Sequence, residues 1–297
     1  MKLIIRAFLR YKKSANRKLG ADYNGKKHPF VNYFAQLSRK VSMIGWSVQR
    51  QGDTSVFRAN PSSSTRRIIF YIHGGSFTAP TSTAHFRFCR ELAYALDSEI
   101  VIIDYEVAPK VIYPSIHSQC RDLISTMVQN EDRWSEVVLA GDSAGAGIIP
   151  SIFSDLNQDV ASLVKATVLM SPWIDYEGTS LSAQTRRRID PWLNSSGVKA
   201  VALQYFRNIE NIALVQAKNK VALDDQPPTF IAVGELEILF SDSLEIYTTL
   251  LANGILSSIY IGRSLWHVWP LFPITERKDF LREVKAFVEQ VSDDNPR

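Results

Sequence analysis

The stretch Glu136-Val137-Val138-Leu139-Ala140-Gly141-Asp142-Ser143-Ala144-Gly145 decides how the rest of the chain is read. Its first half, from Glu136 to Ala140, is short, apolar and β-branched, as expected of a strand buried on both faces. A helical pattern starts at Ser143, so the two glycines of Gly141-x-Ser143-x-Gly145 fall where strand turns sharply into helix. That is the setting of a nucleophile elbow, in which a strained serine presents its hydroxyl at the end of a sheet. Glycines suit the turn because a side chain at either position would meet neighbouring backbone.

Working outward, similar buried strands recur at Ile68–Ile72, Glu99–Tyr105, Ala166–Met170, Thr229–Val233 and Ser258–Ile261. Helical periodicity separates them at about Ala84–Leu96, Ser115–Gln129, Ser143 onward and Ser241–Ala252, and a last helix is expected at Glu276–Val291. A hairpin is expected ahead of them, with strands Val41–Gln49 and Ser55–Ala59 joined by a turn at Gln51, Gly52 and Asp53. Alternation of strand and helix predicts a mostly parallel, eight-stranded, doubly wound α/β sheet with helices on both faces. It stops between Trp173 and Gln226, where the arginine-rich run Arg186, Arg187, Arg188 leads into helical patterns at Val198–Phe206 and Ile212–Ala217. This segment reads as a helical insertion.

Composition sets the outer bounds. The chain has 297 residues, 45% hydrophobic and 22% charged, which excludes disordered and collagen-like classes and permits one large or two small domains. Its net charge of +4 is local, because Lys2, Arg6, Arg10, Lys12, Lys13, Arg17 and Lys18 precede any acidic residue and the remainder carries −3. No nucleic-acid partner is therefore expected. Leu3, Ile4, Ala7, Phe8 and Tyr11 lie at helical spacing among these cations, predicting an amphipathic helix over residues 1–19 that rests on the body. Contact of residues 1–20 with an anionic membrane surface is the less favoured alternative. Arg6 and Arg10 break the apolar residues into runs too short for the roughly 7–15-residue core of a signal peptide. No run reaches the ~18 apolar residues of a membrane span. Cys89 and Cys120 form no metal-like or disulfide spacing, and a cytoplasmic location is expected.

The carboxyl ends of the strands carry the chemistry, as open α/β sheets require. After the strand ending at Ile72 comes His73-Gly74-Gly75-Ser76-Phe77, where adjacent glycines leave backbone N–H groups free to meet an anion. With the residue after the serine, Ala144, they would hold the oxyanion of a tetrahedral acyl intermediate. A serine nucleophile needs a base and the base needs an acid. Of five histidines, His267 follows the last strand, where the order serine, acid, histidine places the base. Candidate acids after the strand Thr229–Val233 are Glu235, Glu237 and Asp242.

Together these residues resemble the hormone-sensitive-lipase-like family of α/β-hydrolase carboxylesterases. The resemblance rests on HGGSF at 73–77, DYEVAP at 104–109, GDSAG at 141–145, GELEIL at 234–239 and HVW at 267–269, and spans roughly residues 40–290. It implies an α/β-hydrolase fold, a single domain over 1–297, and a helical cap built from about 1–40 and about 174–226. It further implies a serine carboxylesterase acting on short-chain acyl esters through Ser143, His267 and Glu237, with Gly74, Gly75 and Ala144 as oxyanion donors. Glu237 stands where the family usually has aspartate, Ile238 stands where it has proline, and Ser76 replaces the third glycine of the family's HGGG. Phe77, Trp173, Trp266 and Trp269 are expected to line the substrate pocket. No metal or organic cofactor is implied, and the expected partner is a small-molecule ester. Amide or formamide hydrolysis on the same triad and a non-catalytic small-molecule receptor on the same scaffold are the alternatives.

Overall fold

A computed structural model of the protein describes residues 2–7, 9, 10, 45–51, 54–59 and 65–293. Eight strands form one sheet: β1 (Ser47–Gln51), β2 (Thr54–Ala59), β3 (Arg67–Ile72), β4 (Glu99–Asp104), β5 (Glu136–Asp142), β6 (Val164–Met170), β7 (Thr229–Gly234) and β8 (Ser257–Gly262). Their spatial order is β1-β2-β4-β3-β5-β6-β7-β8. The hairpin β1–β2 and the β2–β4 pair are antiparallel and the other five pairings parallel, so the sheet is mostly parallel as expected. The expected turn residues Gly52 and Asp53, and residues 41–44 of the expected first strand, lie outside the described residues.

Alternation along β3 shows why the sheet is covered on both sides. Ile68, Phe70 and Ile72 enter a core shared with α2 (Ser115–Gln129) and α3 (Ser143–Ser154). Ile69 and Tyr71 point the other way, into a core shared with α1 (Thr83–Ala95) and α8 (Glu276–Asp293). Successive side chains of a strand must face opposite layers, so a strand buried on both sides has no polar positions to spare.

The insertion between β6 and β7 contains α4 (Leu181–Thr185), α5 (Ser195–Phe206) and α6 (Ile209–Ala222), and α7 (Phe240–Ala252) follows β7. Ala183, Ala202, Tyr205, Phe206, Ile212 and Val215 from this insertion join the core on the α2–α3 side. α6 is longer than the Ile212–Ala217 piece read from sequence. Ile212 and Val215 are buried while Leu214 and Val221 are exposed, so apolar residues on both sides of the helix blur its periodicity.

At the amino terminus, residues 2–7, 9 and 10 are helical. Leu9 is buried in the α1–α8 core, Ile5 packs against it, and Lys2 pairs with Glu276 at the start of α8. Leu3 and Ile4 face outward. Residues 11–44, with most of the expected amino-terminal part of the cap, lie outside the described residues. Among those described, no helix is long and apolar enough to cross a membrane.

Parallel register brings the functional loops together. Ile72 of β3 is paired with Gly141 of β5, Asp142 of β5 with Met170 of β6, and Gly234 of β7 with Gly262 of β8. The segments leaving β3, β5, β6, β7 and β8 therefore emerge along one edge of the sheet.

Candidate active site

Ser143 is the first residue of α3 and has φ = 51°, a left-handed conformation that is costly for a residue with a β-carbon. The crossing is tight enough that a β-carbon on Gly145 would lie 2.0 Å from the carbonyl oxygen of Ile72. The absence of a side chain there lets α3 approach β3 while holding Ser143 at the strand end. The Ser143 carbonyl in turn accepts the N–H of Trp173, at 3.1 Å, from the segment after β6.

His267 lies between β8 and a short 3-10 turn, Trp269–Leu271. Its Nε2 is 2.9 Å from Ser143 Oγ and its Nδ1 is 2.5 Å from Glu237 Oε2. The loop is fixed by Val268, a β-branched residue at φ = 45°, whose N–H donates to Ser171 Oγ at 3.0 Å. Ser171 Oγ donates its own proton to Glu237 Oε1 at 2.7 Å, and the N–H of Gly234 donates to the same oxygen at 2.5 Å. One carboxylate oxygen is thus held by the protein frame and the other is left for the imidazole. Burial works against a charged His267, but the Glu237 carboxylate outweighs it, with help from Asp190 and Asp142, and the imidazole pKa is raised above its ordinary value.

The two other candidate acids are elsewhere. Asp242, in the first turn of α7, accepts the N–H groups of Ile174 at 3.0 Å and Asp175 at 2.9 Å. Burial pushes its carboxyl up to about 7, the two N–H donors oppose this, and the nearby Asp175 and Glu245 add to it. Glu235 is exposed and accepts the N–H of Ser264.

The loop after β3 departs in one respect from the expected oxyanion hole. The N–H of Gly74 donates to Asp142 Oδ1 at 2.9 Å, so it is already taken. Asp142 also accepts from Tyr71 Oη at 2.8 Å and lies 3.3 Å from His85 Nε2. Burial disfavours the charged Asp142 carboxylate, yet His85, the Gly74 N–H and the Tyr71 hydroxyl hold its pKa below the usual value. Gly75, Ser76 and Phe77 then follow at φ = 107°, 56° and 62°, a run of left-handed residues that turns the chain back over the strand ends. No acceptor among the described residues takes the N–H of Gly75 or Ala144. His73, before the glycines, stacks on Tyr105 with centroids 4.1 Å apart and is buried.

The four expected pocket residues separate into two groups. Phe77 and Trp173 belong to one aromatic cluster with Tyr176, Tyr205 and Phe206, beside the loop after β3. Trp266 and Trp269 instead fill the α1–α8 core, where Trp269 packs on Tyr260 and Phe280 and Trp266 on Phe272. Their proximity to His267 in sequence misled the expectation, because both neighbours turn into this core while the His267 side chain turns to Ser143.

Sequence reasoning missed Trp192. Its ring lies edge-on to His267 with centroids 5.7 Å apart, and it is partly exposed. The local signal was Asp190-Pro191-Trp192 inside the insertion, but nothing in the sequence joins that segment to the loop after β8. A cavity of about 180 Å³ between α3, α6 and α7 is lined by Asp175, Asn219 and Ile246 among others, and by none of Ser143, His267 or Glu237. Among the described residues no cluster of three His, Cys, Asp or Glu side chains is arranged to hold a metal.

This architecture has clear relatives. The alpha/beta hydrolase fold family matches residues 69–271. An esterase of Acinetobacter venetianus is 24% identical over 230 residues, covering 76% of this chain and 75% of the relative. An acetyl-hydrolase of Streptomyces hygroscopicus is 24% identical over 209 residues, covering 70% of each. A hormone-sensitive lipase from a metagenome library superposes with a TM-score of 0.76 at 20% identity, covering 96% of this chain and 98% of that one. The expected fold class and carboxylesterase kinship agree with these relatives, and the chain belongs to the alpha/beta hydrolase fold family.

Proposed function

We propose that the protein is a serine carboxylesterase for short-chain acyl esters, with Ser143, His267 and Glu237 as its triad. The observation that carries this reading is the continuous hydrogen-bonded line from Ser143 Oγ through both nitrogens of His267 to Glu237, at 2.9 and 2.5 Å. His267 Nε2 takes the serine proton as Oγ attacks the ester carbonyl, and returns a proton to the departing alkoxide. Glu237 keeps the other imidazole nitrogen protonated and balances the imidazolium that forms. Water, deprotonated by His267 Nε2, then attacks the acyl carbonyl, and the acid leaves as the bond to Ser143 Oγ breaks and Nε2 returns the proton to that oxygen.

The oxyanion is assigned to the N–H groups of Gly75 and Ala144, with Gly74 shaping the loop through Asp142. Each such donor typically lowers the barrier by about 2.7–4 kcal/mol. The insertion α4–α6 and the amino-terminal segment are assigned to a cap over the site, within a single domain. Short acyl chains are favoured because relatives are named acetyl-hydrolase and acetyl esterase, and because Phe77 and Trp173 are already packed among aromatic rings. The closed triad supports an enzyme over a receptor. Hydrolysis of p-nitrophenyl esters from acetate to laurate, with Ser143→Ala as control, tests the reading. Activity should be greatest at two to four acyl carbons, and activity that is unchanged in the control would overturn it.

A further inference from the structure

Asp190 sits at a junction that the triad alone does not require. It is buried, yet it belongs to the insertion rather than to the sheet. Its Oδ1 accepts the N–H groups of Trp192 at 2.7 Å and Leu193 at 2.9 Å, which curls the chain around its own carboxylate. Its Oδ2 accepts the N–H of Ile238 at 2.9 Å, the residue next to Glu237. One carboxylate therefore ties the insertion to the segment that carries the triad acid. Three N–H donors on a buried carboxylate are a strong restraint, because charge-assisted hydrogen bonds are roughly twice as strong as neutral ones.

What the restraint holds in place is an indole. Trp192 packs edge-on against His267 at 5.7 Å and against Phe272 at 5.9 Å, at ring angles of 68° and 83°. His267 is nearly closed off from water, whereas Trp192 retains a partly exposed face. In an ester hydrolase the histidine delivers its proton to the departing alkoxide, so a ring packed on that histidine stands on the alcohol side of the scissile bond. Phe77 and Trp173 lie instead beside the loop after β3.

We propose that Trp192 is a specificity-determining wall for the alcohol portion of the ester, and that Asp190 is the positioning residue that holds it against His267. The proposal rests on the serine-esterase reading and deepens it. The alcohol it selects is small, since a wall fixed on the proton donor leaves little room for a branched or bicyclic leaving group. A hydrophobic wall of this kind discriminates by about 10–200-fold per group excluded.

The test uses the full chain and acetate esters of methyl, benzyl and naphthyl alcohols, followed by p-nitrophenyl esters of increasing acyl length. Fluorophosphonate labelling of Ser143 runs alongside in every variant. Trp192→Ala should raise the naphthyl-to-methyl ratio of kcat/KM by about tenfold or more and leave the acyl-length ranking unchanged. Trp192→Phe, which preserves an aromatic ring, should give a smaller change in the same direction and keep labelling. Asp190→Asn should shift the alcohol ratio as Trp192→Ala does, and the double variant should shift it no further. Variants that label normally with an unaltered alcohol ratio, or with a changed acyl ranking instead, would overturn the proposal alone. Loss of labelling in Trp192→Phe would place the indole in support of the triad rather than at the substrate, and also overturn it. A native protein that does not label at Ser143 would remove the esterase reading and this proposal with it.

Discussion

His267 Nδ1 lies 2.5 Å from Glu237 Oε2, and both side chains are almost sealed from water. The longer glutamate reaches the imidazole because Ser171 and Gly234 hold its far oxygen from the adjoining segments. Glu237→Gln should leave the fold intact and lower kcat on the order of 10³–10⁴-fold, since an amide supports the wrong imidazole tautomer. Steady-state kinetics on a p-nitrophenyl ester checks this, and a loss under tenfold would remove Glu237 from the triad.

Asp242 should behave in the opposite way. Its carboxyl, pushed up to about 7, binds its proton more tightly folded than unfolded, so its contribution is complete below the ordinary aspartate pKa. That contribution is lost as pH rises toward and through 7. Asp242→Asn keeps an acceptor for the N–H groups of Ile174 and Asp175 and removes the titration. The variant should retain activity within about threefold of the native enzyme, since Asp242 is not in contact with His267. Its thermal stability relative to the native protein should improve between pH 4 and pH 8, followed by melting curves across that range.

The pH profile reports on His267. Its raised pKa means that the free base, the form that accepts the serine proton, is lost as pH falls from a point above the ordinary imidazole value of about 6.5. The acid limb of kcat/KM should therefore have its midpoint above 6.5. Glu237, Asp190 and Asp142 all favour the imidazolium. Replacing Glu237 with glutamine removes the largest of these attractions, and the limb of the residual activity should move to lower pH.

Asp142 joins β3 to the elbow. Asp142→Ala would strand the Gly74 N–H and the Tyr71 hydroxyl in a buried site and take the partner from His85. A loss of about 3 kcal/mol or more is expected, at about 1–3 kcal/mol for each orphaned donor. Urea unfolding measures it.

The middle of the sheet was legible in the sequence because β3 to β7 are buried on both faces, so runs such as Ile68–Ile72 and Glu136–Ala140 stand out without any alternation to decode. Ser143 was legible because few local sequences place a serine between two glycines at a strand-to-helix turn. His267 and Glu237 followed from chain order and resemblance, and their position beside Ser143 depends on parallel register that brings β5, β7 and β8 to one edge. Gly74 was misread because the competing acceptor, Asp142, is 68 residues away and meets it only through the pairing of β3 with β5. Trp192 was missed for the same reason. The insertion is connected to His267 by space rather than by spacing, and tryptophans near a histidine in sequence gave a nearer but incorrect answer.

All of the proposed chemistry depends on Ser143 being an activated nucleophile. Reaction of the full chain with a fluorophosphonate probe, followed by mass spectrometry of the labelled peptide, tests it most directly. One adduct is expected, on Ser143, absent in Ser143→Ala and much slower to form in Glu237→Gln; an adduct that persists in Ser143→Ala, or none in the native protein, would rule out Ser143 as the nucleophile.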